Sequence, residues 1–286
     1  MFKQILSAAI IGAVMAGPVK AEEFAFSASG HGKDVVFVPG LGASAEVMED
    51  VAGAMDDVRW HFLSIPGFAG RAPSENLGEA PLAATAAAVS DYIAEQDLQC
   101  PILMGHSVGA LVGVLIAAEA RQKLCGLVVM DAPPALGAVM AQNAPDQTVE
   151  ALVASIARPV ADFSPSQFAD WAKQMADSWG GQASTRETVA AMVAASDQAT
   201  VSDVFAQALT TDVTPILAQV AIPTLVLFTT PQGAGLTDEM IDGFYRSAYA
   251  GLTKGHFRHI PDAGHFLMVD QPAETAAAIA EFLSTM

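Results

Sequence analysis

The chain is poor in cationic side chains: 13 Lys and Arg stand against 31 Asp and Glu, for a formal net charge of −18. So acidic a surface is repelled by phosphate backbones, which excludes nucleic acid as an expected partner. It also gains nothing from an anionic bilayer. Cysteine is nearly absent, with only Cys100 and Cys125. No C-x-x-C pair and no H-E-x-x-H run occurs, so there is no zinc signature. A Walker loop and a dinucleotide fingerprint are missing as well. The expectation is therefore an activity with no cofactor and no metal. No apolar run is long enough to span a bilayer comfortably, so no membrane span is expected. Internal repeats and low-complexity tracts are lacking.

What remains is a chain of 286 residues, 52% apolar and 15% charged. That is enough for one large domain, or for a core carrying an inserted subdomain. The N-terminus reads as a targeting segment. Lys3 supplies a positive start, Ile5 to Met15 an apolar core, and Val19-Lys20-Ala21 a small-x-small cleavage pattern. Residues 1–21 are accordingly expected to be a signal peptide, and the protein to be secreted or periplasmic.

Beyond the leader, strand-like and helix-like segments alternate. Strands are expected at Phe24–Ser29, Asp34–Val38, Trp60–Ile65, Pro101–Met104 and Gly126–Met130. Helices are expected at Ala45–Met55, Pro81–Gln96 and Val108–Ala120. Such alternation implies crossover units and a mainly parallel sheet. The rhythm breaks at Ala132-Pro-Pro134. From there to about Asp212 only helical spacing appears, at Val149–Ala157, Pro165–Trp179, Thr185–Ala195 and Val204–Leu209. Strands return at Pro223–Thr229 and His256–Ile260, with helices at Thr237–Tyr249 and Pro272–Leu283. The reading is a core of residues 22–133 and 213–286, interrupted by a helical lid at 134–212. The lid carries Phe163, Phe168, Trp171, Met175, Trp179 and Met192, and some of these are expected to face an apolar pocket.

The chemistry centres on Gly105-His-Ser-Val-Gly109. A G-x-S-x-G match by itself is weak, since chance supplies about 0.1 in a chain this long. Its setting is informative: it follows a buried strand and opens a helix, as a nucleophile elbow requires. Two flanking glycines relieve collisions across so sharp a turn. A helix-capping serine would account for Ser107 but not for them. A serine hydroxyl needs a base. Among six histidines, His106 should point away from its neighbour. His31 and His61 sit before or inside early strands, and His256 and His259 belong to the last one. His265 lies in the loop after that strand. Ser107 and His265 thus both sit at the C-terminal ends of parallel strands, where reactive groups of open α/β sheets collect.

Taken together, these pieces resemble the α/β-hydrolase superfamily. The matching stretches are Pro39-Gly-Leu-Gly42, Pro66-Gly-Phe-Ala-Gly70, Gly105-His-Ser-Val-Gly109, Ile222-Pro223 and Gly264-His-Phe-Leu-Met-Val-Asp-Gln-Pro272, in the family's order. The resemblance implies the α/β-hydrolase fold, with a lid inserted after the strand ending at Asp131. The short N-terminus implies fewer strands than the usual eight. The resemblance also implies an oxyanion hole from the backbone N–H groups of Val108 and Leu41.

The acid is the departure from the pattern. Most of the superfamily carries it just after the strand that here is Thr224–Thr229. The following stretch, Thr230-Pro-Gln-Gly-Ala-Gly-Leu236, has no carboxylate. Asp238 comes several residues late. Asp131 ends the strand next to the nucleophile's own, where some branches place the acid, and is the favoured candidate. Cys100 and Cys125 precede those same two strands at similar depth and are expected to form a disulfide. The resulting expectation is a secreted serine hydrolase, carboxylesterase-like, using Ser107, His265 and Asp131 on an ester, thioester or lactone of a small or medium apolar substrate. Ser107 argues against dehalogenases and epoxide hydrolases, which use an aspartate nucleophile. A cofactor-free perhydrolase or carbon–carbon bond hydrolase would share the same residues. A catalytically inactive, ligand-binding relative is the rival of another class. The sequence carries no reading of the oligomeric state.

Overall fold

The computed structural model describes residues 23–286 apart from 75–76, 79, 120–122, 143–146 and 234. The expected signal peptide lies outside the described residues.

Seven strands form one sheet: β1 (Ala25–Gly30), β2 (Lys33–Val38), β3 (Val58–Ser64), β4 (Ile102–His106), β5 (Gly126–Met130), β6 (Thr224–Phe228) and β7 (Gly255–His259). Their order is β1-β3-β2-β4-β5-β6-β7. β1 pairs antiparallel with β3, and every other pairing is parallel. The three central strands Ile102–His106, Gly126–Met130 and Thr224–Phe228 are buried at every position. Helices cover both faces of such strands, which explains their unbroken apolar runs. The edge strand β7 instead alternates half-buried and exposed residues.

The core helices are the short α1 (Glu49–Gly53), α2 (Pro81–Glu95), α3 (Val108–Glu119), α9 (Asp238–Ala248), α10 (Leu267–Asp270) and α11 (Pro272–Ser284). α3 packs on β4 and β5, α2 on α3, and α1 on α11. Gly113 of α3 allows that approach, because a Cβ there would stand 2.9 Å from Leu127 Cδ1.

Between β5 and β6 the described residues form helices joined by short loops, with no strand among them. They include α4 (Leu136–Gln142), α5 (Val149–Leu152) running into a π turn at Val153–Ala157, α6 (Pro165–Ser178), α7 (Ala183–Ala194) and α8 (Gln198–Thr210). α6 starts where local chemistry dictates. Ser164 caps it, Gln167 returns the bond to the Ser164 N–H, and Pro165 occupies the first helical turn. Two sequence expectations need adjustment here. α8 is twice as long as the apolar spacing at 204–209 suggested, because its N-terminal turn is set by the Asp197 cap rather than by apolar residues. α4 was not anticipated, since Leu136–Gln142 is too short for periodicity to register.

Cys100 and Cys125 are joined in a disulfide, with their Cα atoms 4.9 Å apart. It ties the starts of β4 and β5 together. The positions just past the opposite ends of the same two strands are Ser107 and Asp131.

Candidate active site

The register of β4 and β5 sets His106 opposite Met130. The next residue on each strand is therefore Ser107 or Asp131, and both leave the sheet in the left-handed region, with φ of 54° and 46°. For residues other than glycine this conformation is strained and persists only where the surroundings enforce it. At Ser107 they do so through backbone. The Ser107 N–H continues the ladder to the Met130 carbonyl at 2.9 Å, while the Ser107 carbonyl accepts from the Ala110 N–H at 2.9 Å. The flanking glycines are sterically obligatory. A Cβ on Gly105 would strike the Gly109 carbonyl, and one on Gly109 would strike the carbonyls of Val38 and Pro39. Gly40 has a similar role in the loop after β2. A Cβ there would stand 2.6 Å from His106 Nδ1 and 3.3 Å from Ser107 Cβ, so only a bare Cα lets the Pro39–Gly42 loop come this close to the serine turn.

His265 follows β7 in a loop fixed from three sides. Its N–H donates to the Trp179 carbonyl at 2.8 Å, and its own carbonyl accepts from His106 Nε2–H at 2.9 Å. The preceding Gly264 N–H donates to the buried carboxylate of Asp270 at 2.8 Å. Asp270 also accepts from the Gln182 N–H at 3.0 Å and the Thr185 hydroxyl at 2.6 Å. The loop is thus tied to the start of α7 as well as to the core. The His265 ring donates Nδ1–H to Asp131 Oδ2 at 2.7 Å. A carboxylate accepts at this position, so in the neutral imidazole the proton sits on Nδ1 and Nε2 is the acceptor. The other oxygen, Asp131 Oδ1, accepts from the Tyr245 hydroxyl at 3.1 Å and the Thr229 N–H at 3.2 Å.

Burial governs the electrostatics behind the site. His106 is wholly buried, and desolvation holds its imidazole well below the ordinary histidine range, with the neighbouring His265 adding to the effect. It is neutral, with its proton on Nε2. Burial, and then the Asp131 charge, push the Tyr245 phenol well above its usual value, so that it stays a donor.

Ser107, Asp131 and His265 open onto one cavity of about 210 Å³. Leu41, Val108 and Leu111 line it from the core, and Leu136, Met175, Trp179, Phe205 and Ala208 from the helical insertion. No lysine or arginine is among its lining residues. Met175 and Trp179 are two of the insertion side chains that the sequence put forward for an apolar pocket.

The remaining candidates lie elsewhere. Asp238 accepts from the Thr230 hydroxyl at 2.6 Å and sits 3.6 Å from His259, away from His265. His61 is buried between Asp34 and Tyr92. His256 packs against Phe282. No cluster of potential metal ligands occurs among the described residues.

Residues 35–278 match the sequence profile of the alpha/beta hydrolase family. The chain belongs to that family. Among solved alpha/beta hydrolase structures, it is similar to a thermophilic esterase from Thermogutta terrifontis, with a TM-score of 0.73 and 23% identity over 92% of this chain and 93% of that one. It is also similar to an esterase from Exiguobacterium antarcticum, with a TM-score of 0.72 and 15% identity over 91% and 95%. At these identities the likeness is one of fold. In sequence, a Mycoplasma pneumoniae protein named for esterase/lipase activity is 28% identical over 109 residues, which cover 37% of this chain and 40% of that protein. The chain therefore spans about two fifths of the length of that relative. No helix among the described residues of this alpha/beta hydrolase is long and apolar enough to cross a membrane.

Sequence reasoning did not find Tyr245, Asp270 or the bond from His106 to the His265 loop. Asp270 lies inside the Gly264–Pro272 stretch that carried the resemblance, so a signal existed. Tyr245 stands on an ordinary amphipathic helix with none.

Proposed function

We propose that the protein is a serine esterase that works through an acyl-enzyme. The observation that carries this reading is the convergence of Ser107, His265 and Asp131 at one cavity, with His265 Nδ1 bonded to Asp131 and its Nε2 free to take a proton. His265 Nε2 accepts the Ser107 proton as Oγ attacks the ester carbonyl, forming a bond to carbon. The carbonyl oxygen becomes an oxyanion and accepts from the backbone N–H groups of Val108 and Leu41. When the tetrahedral carbon collapses, the bond to the leaving oxygen breaks, and His265 returns the proton to the departing alcohol. Water then repeats the sequence on the acyl-enzyme, releasing a carboxylic acid and free Ser107. Asp131 stabilises the imidazolium in both halves. The esterase names carried by the relatives support the same reaction class.

The cavity wall supports a small, uncharged acyl group. Its volume is about 210 Å³, and nothing cationic lines it to pair with a carboxylate. The helical insertion of residues 134–212 acts as the lid over this pocket, on the core of residues 22–133 and 213–286. Residues 1–21 direct the protein to a secreted or periplasmic location, a reading that the Cys100–Cys125 disulfide supports because such bonds persist in oxidising compartments. A screen of esters, thioesters and lactones, with Ser107→Ala as control, tests the function. Turnover of at least one short-chain class by the native chain alone is expected. Equal turnover by Ser107→Ala would overturn the reading.

A further inference from the structure

Helix α9 and its C-cap residue present two tyrosines, four positions apart, to the end of β5. Tyr245 donates to Asp131 Oδ1 at 3.1 Å, and Tyr249 donates to the carbonyl of Ala132, the next residue, at 2.7 Å. The Tyr245 ring stacks on Phe228 at the end of β6, at 4.6 Å between centroids and 17° between planes. Both phenols are buried, and burial raises both above their usual range.

We propose that Tyr245 is a positioning residue that tunes the Asp131–His265 pair, a role that rests on the reading of Asp131 as the acid. Asp131 leaves the sheet at a positive φ, so its backbone alone does not aim the carboxylate. Tyr245 and the Thr229 N–H both bind Oδ1, which leaves Oδ2 to His265. Each donor on Oδ1 also draws charge from the carboxylate. With the phenol present, Asp131 is a weaker base and holds the His265 proton less tightly; without it, the imidazolium is more favoured. Tyr249 is chemically alike but bonds a main-chain carbonyl, so it steadies the turn without touching the carboxylate.

Other titratable groups near the pair are few. His106 lies behind His265, 4.6 Å between ring centroids, and is neutral. On the β7 side, His259 is occupied with Thr230 and Asp238. Asp270 is engaged by Gly264, Gln182 and Thr185. From the insertion, the indole of Trp179 meets the His265 ring, 5.6 Å between centroids.

The experiment compares pH–rate profiles of the native chain, Tyr245→Phe, Tyr249→Phe and Asp131→Asn on one short-chain ester. Tyr245→Phe keeps the ring and its stacking and removes only the donor. Its acid limb in kcat/KM should move to higher pH by about half a unit or more. Its kcat should fall by about 3- to 30-fold with KM little changed. Tyr249→Phe should melt at lower temperature while its acid limb stays in place. Should Tyr245→Phe fail to fold, incorporation of 3-fluorotyrosine keeps the shape and sharpens the donor, and the limb should then move to lower pH. An unmoved limb in folded Tyr245→Phe, or in the fluorotyrosine protein, would overturn the proposal. So would an equal shift in Tyr249→Phe. Full activity in Asp131→Asn would remove the underlying reading instead, which separates the two failures.

Discussion

His265 Nδ1 lies 2.7 Å from Asp131 Oδ2, across 134 residues of chain. The pair sets Asp131 against the His265 ring, whereas Asp238 stands 3.6 Å from His259, and this favours Asp131 as the acid in the proposed reaction. Asp131→Asn should lower kcat by about 10³- to 10⁴-fold, because the amide no longer holds the required tautomer. Asp238→Asn should stay near the native rate, since its carboxylate bonds Thr230 and neighbours His259. Steady-state kinetics on the two purified variants checks this, and the reverse pattern would transfer the role.

Ser107 and His265 should behave as a unit. Ser107→Ala or His265→Ala is expected to cost at least about 10³-fold in kcat, and the double variant little more. Additive losses would mean that the two act in separate steps.

Buried His106 makes stability depend on pH. Its folded-state affinity for protons is depressed, whereas the unfolded chain binds one below about pH 6.5. The unfolded state thus holds more protons in acid, and the contribution present above that pH is lost as pH falls. The slope from this one group approaches about 1.4 kcal/mol per pH unit. In His106→Gln, where no titration is possible, urea unfolding at pH 5 and pH 7 should show a shallower dependence. An unchanged slope would locate the acid sensitivity elsewhere.

Two glycine substitutions should have opposite signs. Gly109→Ala drives a Cβ into the backbone carbonyls of Val38 and Pro39 and should cost about 3 kcal/mol or more. Gly243→Ala, within α9 and with nothing near its added methyl, should stabilise by about 0.5–1 kcal/mol. Thermal melts of both distinguish a steric requirement from a general preference for glycine.

The sheet was legible because its strands obey simple rules. Val35 to Val38, Ile102 to Met104 and Leu127 to Met130 are unbroken apolar runs bounded by turn residues, and all are buried. Ser107 and His265 were legible because their motifs are local. Asp131 was favoured because Thr230–Leu236 has no carboxylate and because it ends the strand beside the nucleophile's own. What the sequence could not display are partners remote in the chain. Tyr245 meets Asp131 across 114 residues, and Gln182 meets Asp270 across 88. No spacing rule links such pairs, because the fold alone brings α9 to the end of β5 and the start of α7 to Asp270 in α10. Helix α4 was hidden for a different reason, being only seven residues long.

The central claim is that Ser107 is the nucleophile, and covalent capture tests it most directly. The native chain, treated with a fluorophosphonate and analysed by intact mass and peptide mapping, should gain one phosphonyl group on Ser107. Ser107→Ala should gain none, and His265→Ala should label far more slowly because the serine lacks its base. No label on the native chain, or a label on a residue other than Ser107, would contradict the account.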